Sequence, residues 1–254
     1  MFDIKNIYEI NGDVVVAGVP DGYDGAILDQ FTQSGKSVLF VARDDRRMAA
    51  VKASLELFAG ETEILEFPAW DCLPYDRVSP KSDIISARLH ALTNLADKSE
   101  GQPRIVLSSI AALLQRVPAR KILKGSSLLF GKGGEILRGK LLSYLHNNGY
   151  GRTEIVMEPG EYAIRGGIID LYPAGFTEPF RLDFFGDELD SIRTFEPFSQ
   201  RTNGRGESFN LKPSSEISLT DSAIRQFRKG YRALFGVAAS EDPLYQGISV
   251  GRKQ

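Results

Sequence analysis

Residues 161–201, EYAIRGGIIDLYPAGFTEPFRLDFFGDELDSIRTFEPFSQR, decide how this chain is read. Within them Phe180-Arg181-Leu182-Asp183-Phe184-Phe185 has the period of a strand, so successive side chains point to opposite faces. Phe180, Leu182 and Phe184 make the core face, and Arg181, Asp183 and Phe185 share the other. An exposed phenylalanine beside an arginine is the composition enriched in interface hot spots, which points to a protein-docking surface rather than a catalytic pocket. The competing reading is that a neighbouring domain or loop covers Phe185. Upstream, Arg165-Gly166-Gly167 interrupts a strand pair with a bulge or tight turn that aims Arg165. Ile169 and Leu171 then lie on one face, and Ile168, Asp170 and Tyr172 on the other. Arg165 is equally well placed for a partner or for an ion pair with Asp170, Asp183 or Asp187. Arg193 and Arg201 read as solvated or packing arginines.

Outward from this stretch, residues 155–195 are short strands broken by Pro-Gly, Ala-Gly and Gly-Asp turns, the pattern of an antiparallel meander. A strand over 126–130 and an amphipathic helix over 135–148, stopped by Gly149, precede it. Together they predict a small α+β domain over 125–205. Residues 1–124 alternate differently: strands at 13–18, 37–41, 63–67 and 104–107, with helices at 23–34, 44–58 and 82–96 and a short one from Ser109. That alternation implies βαβ units, hence an α/β domain with a mostly parallel sheet. Residues 202–216 read as a polar connector. Thr220 caps a helix with Ile224, Phe227, Tyr231 and Leu234 on one face, and a loop tail follows Gly236. Residues 206–254 are then the return segment, an incomplete second part of the α/β domain.

Composition removes several classes of function. A formal charge of -2 over 254 residues gives no global bias toward nucleic acid or anionic membrane. No apolar run approaches the roughly 18 residues that span a bilayer, and MFDIKNIYEING turns acidic and polar too early for a secretory signal. The single cysteine, Cys72, excludes an internal disulfide, which suits a reducing cytoplasm, and meets no zinc-site spacing. His90 and His146, the only histidines, fall on separate helices. No metal and no cofactor is expected.

The one place where nucleotide chemistry is expected fails residue by residue. The run ending at Gly18 enters a helix through Gly18-Val19-Pro20-Asp21-Gly22-Tyr23-Asp24-Gly25, where a parallel sheet would carry a phosphate loop. Such a loop needs G-x-x-x-x-G-K-[ST], so that backbone amides and a lysine hold phosphate and a hydroxyl holds magnesium. Counted from Gly18, Tyr23 stands for the second glycine, Asp24 for the lysine and Gly25 for the hydroxyl. A carboxylate in the lysine position repels the ligand, so the loop is read as degenerate and non-functional. Gly35-Lys36-Ser37 precedes a strand instead of opening a helix, and Asp44-Asp45 is explained as an acidic helix start.

Taken together, EPGEYAIRGGIIDLYPAG and RLDFFGDELDSIRTFEPFSQR resemble the UvrB-homologous module at the amino end of bacterial transcription-repair coupling factors (Mfd). The likeness continues through FPAWDCLPYD, SDIISARLHAL, SSIAALLQRVP and FRKGYRALFG, nearly the whole chain. The resemblance implies a helicase-like α/β domain with a degenerate P-loop, interrupted by a small α+β UvrB-interaction-type domain that docks UvrA. On matching positions, the family's UvrA-binding residues fall on Arg165, Arg181 and Phe185. It further implies a cytoplasmic, non-catalytic adaptor in transcription-coupled nucleotide excision repair. The family's contacts to RNA polymerase and DNA would be made by domains absent here. The family's masking of this surface would be absent too, so constitutive UvrA binding is expected. Two rival readings remain. A UvrB-like or helicase-like ATPase would bind magnesium-ATP saturably. A DNA-binding module built on Arg43, Arg46 and Arg47 would show a steep salt dependence.

Overall fold

The alternating strands and helices of the first hundred residues close into a three-stranded parallel sheet in the computed structural model of the chain. That structure describes residues 12–58, 60, 62–73, 78–97, 102–131, 137–236 and 241–251. The chain divides into two compact units, Met1–Val117 and Pro118–Gln254. In the first, β1 (Val38–Ala42), β2 (Glu63–Phe67) and β3 (Arg104–Ser109) are ordered β1-β3-β2, with Val38 opposite Ile105 and Glu63 opposite Arg104. All six residues of β3 are buried, as expected for a central parallel strand. Its alternate side chains feed two cores. Ile105 and Leu107 join Leu28, Met48, Val51 and Leu55 from α1 (Asp24–Gln33) and α2 (Asp45–Phe58). Val106 joins Leu65, Phe67, Ala91 and Ala112, the last two from α3 (Ser82–Ala96) and α4 (Ile110–Leu113). The chain passes from β3 into α4 through Ser109, whose side chain caps the Ala112 N–H.

The strand expected at 13–18 does not form. Residues 13–20 have no regular structure, and Val14, Val15 and Val16 are exposed. An apolar run becomes a parallel strand only when its backbone pairs with a neighbour, and the β1-β3-β2 sheet includes no pairing from this segment.

The second unit is built around a six-stranded sheet of order β10-β9-β8-β7-β6-β5. Its strands are β5 (Gly151–Arg152), β6 (Glu161–Arg165), β7 (Ile168–Leu171), β8 (Phe180–Phe185), β9 (Glu188–Phe195) and β10 (Thr202–Gly206). Strands β6 to β10 pair antiparallel, and β5 lies parallel to β6. One face packs on α6 (Arg138–Asn147), with Leu141 and Leu145 against Tyr162, Ile169, Leu171, Phe180, Leu182 and Ile192. A two-stranded pair of β4 (Leu128–Gly131) and β11 (Ser208–Leu211) completes this core. Phe209 stacks on Phe130 at 5.2 Å and on Phe180 at 4.4 Å. A short helix, α5 (Arg120–Leu123), precedes β4.

Two sequence expectations change in this unit. The connector expected over 202–216 contains β10 and β11, and Phe209 and Leu211 are buried by their alternation. The loop tail expected after Gly236 contains α8 (Pro243–Ser249). The tail's residues 237–240 and 252–254, the first two residues of the helix expected at 135–148, and the amino-terminal reading of 1–11 lie outside the described residues. Thr220 does cap α7 (Asp221–Phe235), accepting from the Ala223 N–H. The expected face of α7 meets α8, where Phe227 and Tyr231 lie 6.1 and 5.7 Å from the Tyr245 ring, while Leu234 is exposed.

Candidate functional site

Strand parity in β8 holds at every position. Phe180, Leu182 and Phe184 are buried, Arg181 and Asp183 are half-buried, and Phe185 is 86% exposed. No loop or neighbouring element of the described structure covers Phe185. It sits at the turn end of the strand, opposite Glu188, where the sheet ends. The β8–β9 register shifts between Asp183 and Phe184, where Asp190 of β9 is extra, yet the alternation of burial along β8 runs through unbroken to Phe185.

The rest of this face is a charge network laid across four strands, β6 to β9. Asp170 of β7, 1% exposed, lies opposite Arg181 in the ladder and accepts from its Nε at 2.7 Å and its Nη2 at 2.9 Å. Arg165 reaches the same carboxylate at 3.7 Å. The Arg181 guanidinium also stacks 4.6 Å from the Phe195 ring and donates through Nη1 to the Gln200 carbonyl at 3.3 Å. The hydrogen bonds to Asp170, and then the negative charges of Asp170 and Asp183, favour its charged form and raise its pKa against the opposing effect of burial. Farther along, Asp183 accepts from Ser191 at 2.8 Å and from Arg193. Asp183 thus pairs with Arg193 through Nη2, while Arg193 Nε is buried without a hydrogen-bond partner among the described residues.

The sequence-nominated residues are thus on one face but in different states. Phe185 is bare. Arg165 is half-exposed, with Nη2 donating to the Glu154 carbonyl at 3.3 Å. It lines an open cleft of about 560 Å³ together with Arg152, Thr153, Glu154 and Ile164. Arg181 is largely spent within the protein, its side chain only 15% exposed. Sequence parity identified its face but gave no sign of the bidentate pair with Asp170. The Gly166-Gly167 pair forms a two-residue turn between β6 and β7, with Gly166 at φ +60°. A Cβ on Gly167 would sit 2.8 Å from the Phe184 carbonyl oxygen, so glycine is required for the close approach.

The loop at Gly18–Gly25 is organised quite differently. Arg47 of α2 donates through Nη2 to both oxygens of Asp24, at 2.9 and 2.8 Å. The Gly25 N–H donates to Ser54 Oγ at 3.1 Å, and Ser54 in turn donates to the Gly22 carbonyl. Tyr23 is the residue before α1 and makes no side-chain cap. A Cβ on Gly25 would stand 2.4 Å from Ser54 Oγ and 2.7 Å from the Ser54 carbonyl carbon, so α1 and α2 touch here. Arg43, the first member of the basic cluster, pairs with Asp44 at 3.1 Å.

Comparison with known proteins places this face in a family context. Residues 128–217 match the family described as UvrB interaction domain. The chain is 37% identical over 242 residues to a transcription-repair-coupling factor of Haemophilus influenzae, an alignment covering 95% of this chain and 21% of that protein. It is 37% identical over 214 residues to the one of Escherichia coli, covering 84% of this chain and 18% of the relative. A Bacillus subtilis relative of the same name is 28% identical over 203 residues, covering 78% and 17%. The chain therefore spans about a fifth of the length of the relatives it matches.

Proposed function

We propose that this chain, similar over most of its length to the amino-acid sequences of transcription-repair-coupling factors and matching the UvrB interaction domain over 128–217, is a non-catalytic adaptor that docks UvrA. In that role it brings nucleotide excision repair to stalled transcription, in the cytoplasm. RNA polymerase and DNA would be engaged by parts of a coupling factor that lie beyond this module. The carrying observation is Phe185, 86% exposed at the end of a strand whose alternate residues are buried. An aromatic at the end of a strand paired on both sides stands on an ordered backbone, so docking has mainly the side chain left to order.

The three proposed contact residues divide the work. Phe185 enters an apolar recess of UvrA. Arg165, half-exposed beside its cleft, supplies a charge that a partner carboxylate can meet. Arg181 acts mostly from beneath, keeping buried Asp170 paired so that the face stays flat and ordered. The helicase-like reading of the first unit belongs to the same proposal. There the loop around Gly18, Tyr23, Asp24 and Gly25 serves as a helix junction closed by Arg47 and Ser54 rather than as a phosphate site.

Titration of UvrA into the chain tests the proposal. Phe185→Ala is expected to weaken binding by about 2 kcal/mol or more, roughly thirtyfold, with an unchanged melting temperature. An unaltered isotherm for Phe185→Ala removes this residue from the interface.

A further inference from the structure

A second phenylalanine is as bare as the first. Phe198, 87% exposed, sits at the tip of the turn that follows β9. Isolated exposed apolar residues are ordinary on protein surfaces. What distinguishes Phe198 is the effort with which its turn is built. The Glu196 N–H donates to the Arg201 carbonyl at 3.0 Å, and the Gln200 N–H donates to the Glu196 carbonyl at 2.8 Å. The Glu196 carboxylate accepts from the N–H groups of Phe198, at 2.9 Å, and Ser199, at 2.5 Å. Gln200 closes the turn at φ 58°, the only positive φ at a non-glycine among the described residues. Such a conformation costs energy in a residue with a Cβ, and it persists only where the surroundings impose it. Here they do: Gln200 Nε2 donates to the Val156 carbonyl at 3.1 Å and to that of Pro197.

The turn is continuous with the docking face. The Gln200 carbonyl receives Arg181 Nη1, and Phe195, at the root of the turn, carries the Arg181 guanidinium on its ring. Phe185 lies four residues along β8 from Arg181 on the same face, about 13 Å by strand rise. One arginine thus joins two exposed aromatics, one at each end. Arg165 and Arg201, the latter exposed beside the turn, add positive charge to the rim.

We propose that Phe198 is a second aromatic anchor of the UvrA-docking surface, seated in an apolar recess with acidic groups at its rim. The inference rests on the proposed UvrA reading and extends it beyond Arg165, Arg181 and Phe185. A prebuilt turn already holds the backbone that carries the ring, so binding has less ordering to supply.

Titrating UvrA into the 254-residue chain and its Phe185→Ala, Phe198→Ala and doubly substituted forms tests this, with thermal melting of each. Phe198→Ala is expected to melt like the parent and to bind about tenfold more weakly. Loss with Phe185→Ala but none with Phe198→Ala overturns the second anchor and leaves the UvrA reading standing. Loss with neither removes both aromatics from the interface, and no binding by the parent chain overturns the UvrA reading itself. Loss with Phe198→Ala alone supports the second anchor and removes Phe185. If Phe198→Ala spares UvrA binding but abolishes self-association in sedimentation of the chain alone, the turn docks a second copy, and the inference fails.

Discussion

The loop at 18–25 and the face at 161–201 both centre on an arginine paired with an aspartate, yet only the face leaves bare aromatic rings beside the pair. At the loop, Arg47 covers Asp24, Ser54 takes the Gly25 N–H, and the Gly25 backbone lies against α2. The groups at the lysine and hydroxyl positions, the Asp24 carboxylate and the Gly25 N–H, are already occupied by the protein. At the face, Arg181 and Asp170 are occupied in the same way, but Phe185 and Phe198 remain uncovered above them. Polar pairing is therefore not what separates a site from a scaffold in this chain. The separation lies in what is left over once the pairing is complete, and on the face the remainder is aromatic.

The comparison breaks first at Asp170. Its carboxylate is buried and holds Arg181 by two hydrogen bonds, so Asp170→Ala leaves a largely buried guanidinium without its partner. Removing one member of such a pair costs about 3 kcal/mol or more. Urea denaturation of Asp170→Ala should show a loss of that size, whereas Phe185→Ala should show almost none. A loss below about 0.5 kcal/mol would mean that Arg181 is free to turn outward, and that the pair is a partner contact after all.

The next test lies on the loop side. Gly25→Ala places a Cβ against the Ser54 hydroxyl and, less forgivingly, against the Ser54 carbonyl carbon and the Leu55 nitrogen. Backbone atoms in a helix cannot step aside as a side chain can, so α1 and α2 must separate. Overpacking of this kind costs about 1–3 kcal/mol. A melting temperature equal to that of the parent would show that the helices have room between them. The loop would then be an open cavity rather than a closed junction.

These two regions also mark where the sequence was legible. In β8, burial alternates over six residues, so the period alone separates Phe185 from Phe184. The bounds of β2 and α3 fall where β-branched and amphipathic patterns place them. Val14 to Val16 mislead because hydrophobicity records the tendency to be buried and says nothing about the availability of a pairing edge. The opposite error occurs at β10 and β11. Glycine and asparagine disguise Thr202–Gly206 as a linker, although the alternation of Phe209 and Leu211 was there to be read. The Arg181–Asp170 pair joins residues eleven apart through strand register, and the Phe198 turn depends on one positive φ at Gln200. Neither register nor that dihedral leaves a periodic trace in sequence.

The smallest expected effect concerns how the face holds its outermost aromatic. The Glu196 carboxyl titrates below its ordinary value because the Ser199 hydroxyl, and then the N–H groups of Phe198 and Ser199, bond to its ionised form. A carboxylate whose folded pKa is depressed contributes its stabilisation fully above its unfolded pKa. It loses that contribution as pH falls through the lowered folded value. The turn should therefore be intact at neutral pH and loosen only on the acid side of the usual glutamate range. Since Glu196 is open to solvent, global stability should scarcely register the change. The amide resonances of Phe198 and Ser199 should report it, moving together with a midpoint below that of an unperturbed glutamate, and Glu196→Gln should abolish the movement. Titration at the ordinary midpoint would mean that the carboxylate does not grip the turn. Phe198 would then stand on a backbone the carboxylate does not hold, and only Phe185 would be carried by an ordered element.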